Sequence, residues 1–302
     1  MGGAGIVAIV NPLSGAGATA GAARARVSLL ERHFAAGGLA GRVHLTEHGG
    51  HARELARAAL DAGASLIVAW GGDGTINEVA STLAGSGVPL GIIPAGSGNG
   101  LANELGLDPD PDRAATVALT GRDRRIDAGE FDGRLFFNIA GTGFDAAVAE
   151  RFNARPLGRR GMGPYITIAA RELLFYAGRR YRLWLDGDEL ATTALLIAFA
   201  NGREYGNRIR IAPGAMLDDG RLEAIVVEDR SLIARLWSCR HIALGRIERT
   251  PGVTVRAVAR ARLEVDGDIV YHLDGEMGRA RDGVDVRVIP GALVVRVAGD
   301  GR

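Results

Sequence analysis

Two groups of residues have the types and spacing needed to handle phosphate and protons. The first is Gly71-Gly72-Asp73-Gly74-Thr75, which runs on into Ile76-Asn77-Glu78-Val79. It follows the apolar run Leu66–Trp70 and opens onto helical spacing, so strand, glycine turn and helix start follow one another. Backbone N–H groups face outward at such a turn, and glycine lets an anion approach them closely. Asp73 would repel a phosphate unless a Mg²⁺ lay between them, so the run is a candidate site for both; the plain alternative is a turn carboxylate. The second group is Asp274-Gly275-Glu276, after the run Ile269–Leu273. If strand geometry persists there, both carboxylates leave on one face. One would then accept a proton while the other holds Mg²⁺ or a nucleotide hydroxyl. Asp-Gly is equally an ordinary hairpin turn, and the spacing does not decide which carboxylate is the base.

The elements that must position these groups change character along the chain. Up to about residue 122, short apolar runs (5–10, 42–46, 65–70 and 89–93) alternate with helical patterns over Thr19–Ala36, Gly50–Ala62 and Asn77–Leu83. In the second helix Leu55, Ala58, Ala59 and Ala62 share a face. This alternation predicts an open parallel sheet covered on both sides, with ligands bound beyond the carboxyl ends of its strands. Four loops fall there: Asn11–Gly17, Thr46–His51, Gly71–Asn77 and Pro94–Asn99, all rich in Gly, Ser, Thr or Asn.

Past Gly121 the charged bridge Arg122–Arg125 leads into strand after strand. Hairpin signals occur at Asp132-Gly133, Asp186-Gly187-Asp188 and Asp266-Gly267-Asp268, with helical patterns only at about 161–177 and 231–247. A second, mostly antiparallel domain is expected, in the form of a sandwich.

Composition narrows the chemistry. The 36 cations are all arginine, which removes mechanisms that need a Schiff-base or P-loop lysine. A net charge of +1 gives no pull toward nucleic acid, and none is expected as a partner. The single cysteine, Cys239, forms no intrachain disulfide and reads as a structural thiol in a reducing compartment. No run approaches the ~18 apolar residues of a membrane span, and Met1–Asn11 lacks the features of a signal peptide, so a soluble cytoplasmic protein is expected.

Asn11-Pro12-x-Ser14-Gly15, the Gly71–Val79 run and Gly96-Ser97-Gly98-Asn99-x-x-Ala102 together resemble the diacylglycerol kinase catalytic superfamily, which includes bacterial lipid kinases and sphingosine kinases. Asp127-x-Gly129, Asn138-x-x-Gly141-x-Gly143-Phe144-Asp145, Leu217-x-Asp219-Gly220 and Leu273-Asp274-Gly275-Glu276 extend the resemblance over nearly the whole chain. It implies a phosphofructokinase-like α/β domain at 1–123, to which a strand within 291–302 returns, and a β-sandwich lipid domain at 124–290, with ATP in the cleft between them. It also implies that Asn11, Ser14, Thr46, Gly72–Thr75, Asn77, Glu78 and Gly96–Asn99 contact the nucleotide. Asp73 and Asp127 would form the Mg²⁺ network, with Asp274 favoured over Glu276 as base. Asp219, with the carbonyls of Met216 and Arg221, would hold a structural Mg²⁺. The plain alternatives are a cap or strand-end salt bridge for Asp127 and a type I turn for the Asp219 loop. Some relatives carry lysine after Ser14-Gly15, whereas this chain has Ala16, so an arginine or loop N–H groups must compensate.

The implied activity is transfer of the ATP γ-phosphate to a hydroxyl of a membrane lipid: diacylglycerol, phosphatidylglycerol or a sphingoid base. A NAD kinase-like enzyme and a catalytically silent nucleotide-binding regulator are the rivals. Residues 151–182 carry Arg151, Arg155, Arg159, Arg160, Arg171, Arg179, Arg180 and Arg182 against Glu172 alone. Over 230–262, where Glu248 is the only acid, Arg235, Arg240 and Arg246 interleave with Leu232, Ile233, Leu236, Trp237 and Leu244. This suits peripheral contact with an anionic membrane and equally suits solvated faces paired with acids elsewhere. A homodimer stays open.

Overall fold

The computed structural model describes residues 5–15, 20–153, 162–204, 210–243, 247 and 250–299. The expectations on Ala16, Arg155, Arg159, Arg160, Leu244, Arg246 and Glu248 lie outside the described residues, as do those on the side chains of Leu236, Cys239 and Arg240. Two units are distinguished, Met1–Ile126 with Gly291–Arg302, and Asp127–Pro290.

In the first unit the apolar runs form parallel strands β1 (Ile6–Val10), β2 (Gly41–Leu45), β3 (Leu66–Gly71) and β4 (Leu90–Pro94). Their order is β4-β3-β1-β2, with Val10 level with both Leu45 and Trp70, and Trp70 level with Ile93. β3 and β4 are buried at every position, as strands covered on both faces must be. The cover comes from α1 (Ala20–Gly37), α2 (His51–Asp61), α3 (Asp73–Leu83), α4 (Gly100–Glu104) and α5 (Pro111–Thr120). Leu30, Phe34, Val68, Trp70, Ile93 and Ala118 belong to one core cluster.

Three details depart from expectation. The third helix begins at Asp73 and not Asn77, because extended Gly72 serves as its N-cap. α2 buries Ala52, Ala56 and Ala59, while Ala58 and Ala62 face solvent. α5 was not foreseen, although Asp110 accepts the Arg113 N–H and Pro111 opens the first turn, which together form a strong helix start.

The second unit is antiparallel. Its strands are β6 (Arg134–Phe136), β7 (Ile139–Gly143), β8 (Arg179–Leu185), β9 (Asp188–Ala200), β10 (Leu222–Glu228), β11 (Val253–Val258) and β12 (Arg260–Leu273). The later part of β5 (Arg122–Phe131) and the earlier part of β13 (Glu276–Val297) join them. β9 and β12 are long enough to pair with β7 at one end and β8 at the other, which wraps the ladder around Phe131, Tyr181, Phe199 and Tyr271. Helices α6 (Phe144–Asn153), α7 (Met162–Phe175) and α8 (Leu232–Ala243) belong to this unit.

Here too the structure corrects the reading. Arg122–Arg125 is not a bridge but the start of β5, and α6 was not expected. Asp266–Asp268 is no hairpin turn: β12 runs through it with a register shift between Glu264 and Asp268, where Gly267 takes φ +82°. The actual turn is Asp274-Gly275, at φ +50° and +90°, which matches Asp132-Gly133 and Asp186-Gly187.

Candidate functional site

Because the strands of the first unit run parallel, their four following loops share one edge. The ladder continues one residue into three of these loops. Asn11 N–H donates to Trp70 O, Thr46 N–H to Val10 O and Ala95 N–H to Gly71 O, at 2.8–2.9 Å. The β3–α3 and β4–α4 loops touch through glycine: a Cβ on Gly96 would stand 2.8 Å from the Gly72 Cα, and one on Gly71 2.5 Å from the Thr75 Cβ. Asp73, in the first turn of α3, locks the contact. Its Oδ2 accepts the Asn99 N–H at 2.9 Å and its Oδ1 the Gly100 N–H at 2.7 Å. Asn99, at φ +53°, closes the loop on itself by bonding both the N–H and the O of Gly96. The first turn of a helix carries N–H groups without intrahelical partners and the positive end of the dipole, which favour an anion.

The β1–α1 loop is held from two sides. Asn11 Nδ2 donates to Thr75 Oγ1 at 2.9 Å, while Asn11 Oδ1 accepts the Leu13 N–H. Arg26, from α1, donates to Asn11 O, Ser14 Oγ and Ser14 O at 2.6–2.9 Å, and its guanidinium lies 5.5 Å from the Trp70 ring centroid. Burial lowers the pKa of Arg26 from its ordinary value. Sequence reasoning missed Arg26; the signal was the absence of lysine after Gly15. Ser97 is exposed and Thr46 half-buried, with both on the loop edge. Glu78 points to a structural duty, accepting the N–H groups of Gly50 and Arg53 at the start of α2. Asn77 is buried and accepts from Ser81 Oγ. Nearby, His48 and His51 stack at 4.7 Å with Glu54 in reach, but His51 Nδ1 already accepts the Glu47 N–H.

The second unit gathers the other candidates around backbone amides. Asp274 accepts three of them: Phe137 at 2.8 Å, Asn138 at 3.0 Å and Ile139 at 2.9 Å. The turn at Asp274-Gly275 breaks strand geometry, so the expected shared face for Asp274 and Glu276 does not arise from alternation. Glu276 opens β13 opposite Leu273, with its Oε2 3.7 Å from Arg134. Asp127 is buried; its N–H donates to Leu217 O, and its Oδ2 accepts the Gly220 N–H at 2.7 Å. Asp127 therefore grips the loop that carries Met216, Asp219 and Arg221, in which Asp219 Oδ1 accepts the Arg221 N–H. Asn201, fully buried, donates to both Asp127 O and Phe137 O and ties the two carboxylate segments together.

The Asn138–Asp145 motif also acquires a cause. A Cβ on Gly141 would fall 1.8 Å from Asp145 Oδ2, the atom that pairs with His272 Nε2 at 3.0 Å in the interior. Gly143, at φ +91°, passes against Leu195 O.

Residues 5–131 match the diacylglycerol kinase catalytic domain, and residues 138–297 match the YegS C-terminal NAD kinase beta sandwich-like domain. A diacylglycerol kinase of Mycobacterium tuberculosis (strain CDC 1551 / Oshkosh) is 33% identical over 96% of this chain and 94% of its own length. A probable lipid kinase YegS-like protein of Chromohalobacter salexigens is 38% identical over 61% of each chain. The crystal structure of a diacylglycerol kinase from Bacillus anthracis str. Sterne shares the fold, with a TM-score of 0.72 and 18% identity over 97% of both chains.

Proposed function

The chain belongs to the diacylglycerol kinase catalytic-domain family and is a lipid kinase, and from that premise we propose that it transfers the γ-phosphate of ATP, with Mg²⁺, to a hydroxyl of a membrane lipid. Diacylglycerol is the first candidate acceptor, since the M. tuberculosis relative carries that name. The observation that carries the reading is the closure of two glycine loops at the strand-end edge by the Asp73 carboxylate. Gly72, Gly96 and Gly98 let the two loops pack against each other and against Asp73, and bare glycine backbone suits polyphosphate, which must come within contact distance of backbone N–H groups.

In this reading Gly72–Thr75 and Gly96–Asn99 hold the phosphates, with Asn11, Ser14 and Thr46 at the rim. Asp73 and Asp127 supply carboxylate for Mg²⁺, which when bound neutralises charge on the β- and γ-phosphate oxygens. Asp274, fixed by three amide bonds, takes the proton of the attacking hydroxyl as its oxygen bonds to phosphorus and ADP departs. A rigid carboxylate is what general-base positioning requires. Glu276 orients the hydroxyl or the metal. Asp219, with the carbonyls of Met216 and Arg221, offers the mix of hard oxygens that Mg²⁺ accepts.

The test is labelled ATP with purified protein against diacylglycerol, phosphatidylglycerol and sphingosine in vesicles, with NAD as a soluble acceptor. Label on a lipid, lost with chelator, is expected. Label on NAD alone would overturn the reading.

A further inference from the structure

Five of the large exposed apolar side chains among the described residues fall on two helix ends of the second unit. They are Leu174 and Phe175 on α7, and Leu232, Ile233 and Trp237 on α8. Phe175 is 78% and Ile233 81% exposed, values at which burial has contributed almost nothing. Ile233 and Trp237 lie one turn apart on the same face of α8, away from Arg235 and Ser238, which point inward.

The two ends are stitched together. Arg235 Nη1 donates at 2.9 Å to both Leu173 O and Tyr176 O, the carbonyls on either side of Leu174-Phe175. Its Nε and Nη2 bond Asp229, whose Oδ2 accepts the Gly178 N–H. Arg235 and Asp229 therefore brace the two helix segments that carry the exposed apolar groups, which are not separate fraying ends.

The local charge is one-sided. Glu172 is buried and paired with Arg151, and Asp229 is held by Arg235. Arg171, one turn before Leu174, and Arg230, two residues before Leu232, are exposed and make no ion pair among the described residues. Glu228 stands near Arg230 beside Gly252 without forming one.

We propose that the ends of α7 and α8 form a membrane-docking face, on which Phe175, Ile233 and Trp237 enter the interfacial layer of an anionic bilayer while Arg171 and Arg230 meet its headgroups. The choice of a bilayer over a second copy of the chain follows from the charge: a symmetric partner would bring the same arginines together. It also rests on the lipid-kinase reading, whose acceptor resides in a membrane.

The experiment is co-sedimentation of the full chain with vesicles of equal parts phosphatidylglycerol and phosphatidylcholine, or of phosphatidylcholine alone. Binding to the mixed vesicles is expected, with a blue shift of tryptophan emission that Trp237→Phe removes. Arg171→Gln with Arg230→Gln should weaken binding about 30-fold, from ~1 kcal/mol per arginine. Phe175→Ser with Ile233→Ser should weaken it by about tenfold or more. Wild-type binding by both double variants overturns the face. So does a variant that turns a dimer into a monomer while vesicle binding holds. Kinase assays on lipid in detergent micelles separate this from the enzymatic reading: variants fully active in micelles and defective only on vesicles support the face. Vesicle binding by a wild-type protein that phosphorylates no lipid in either form would remove the kinase reading and leave the face standing.

Discussion

Gly98 lies directly against Asp73: a Cβ at Gly98 would stand 2.7 Å from Asp73 Oδ2. That same oxygen accepts the Asn99 N–H, so the carboxylate cannot retreat without releasing the loop. Hydrogen bonds to a charged group contribute about 1.5–3 kcal/mol each. Gly98→Ala should therefore raise the KM for ATP about tenfold or more while circular dichroism stays that of the folded protein. An unchanged KM would mean that the loop accommodates the methyl group without moving Asp73.

Asp73→Asn probes the same clamp chemically. An asparagine keeps one oxygen for the Asn99 or Gly100 N–H but turns an amide toward the other, and it removes the charge assigned to Mg²⁺. Phosphoryl transfer should fall by about a thousandfold or more, with the melting temperature lowered by only a few degrees. Near-wild-type turnover would remove Asp73 from the metal network.

How far the sequence carried depends on whether its information was local. β3 was legible because the five consecutive apolar residues Leu66–Trp70 run into Gly71-Gly72, and α3 was misplaced because two glycines and an aspartate conceal its first turn. The Asp266–Asp268 turn failed because Asp-Gly chemistry serves a bulge as well as a hairpin, and only the partner strand decides between them. The motif residues were all visible, but their partners were not. No spacing along the chain relates Asp274 to the amides of Phe137–Ile139, or Asp127 to Gly220.

Arg26 shows the same limit, and its role can be tested by shape. The guanidinium fork reaches Asn11 O, Ser14 Oγ and Ser14 O together, which a lysine ammonium on a flexible stem does not reproduce. Arg26→Lys should weaken ATP binding about fivefold to thirtyfold by titration calorimetry. Equal affinity would show that charge alone holds the Ser14 loop.

Asp274 and Glu276 are separable because Asp274 carries the amides of Phe137, Asn138 and Ile139. Asp274→Asn places an amide among three N–H donors and should cost stability, on the order of 1–3 kcal/mol, together with most of kcat. Glu276→Gln leaves those amides satisfied and should preserve the melting temperature. If Glu276→Gln abolishes kcat while Asp274→Asn loses only stability, the base is Glu276 and Asp274 is its positioning residue.

The Asp219 loop offers a prediction that does not depend on turnover. Asp127 already fixes Gly220, and Gly220 holds φ +72°, so the loop is shaped whether or not a cation is bound. Mg²⁺ that binds only the folded chain stabilises it by mass action, about 2.7 kcal/mol at a hundredfold excess over Kd. The melting temperature of the wild type should thus rise by several degrees with added Mg²⁺. Asp219→Ala should melt close to the wild type in chelator and lose most of that rise, because the carbonyls of Met216 and Arg221 alone bring no charge to a hard cation. An identical rise in the variant would place the stabilising Mg²⁺ elsewhere and leave Asp219 as the turn residue that its bond to the Arg221 N–H already makes it.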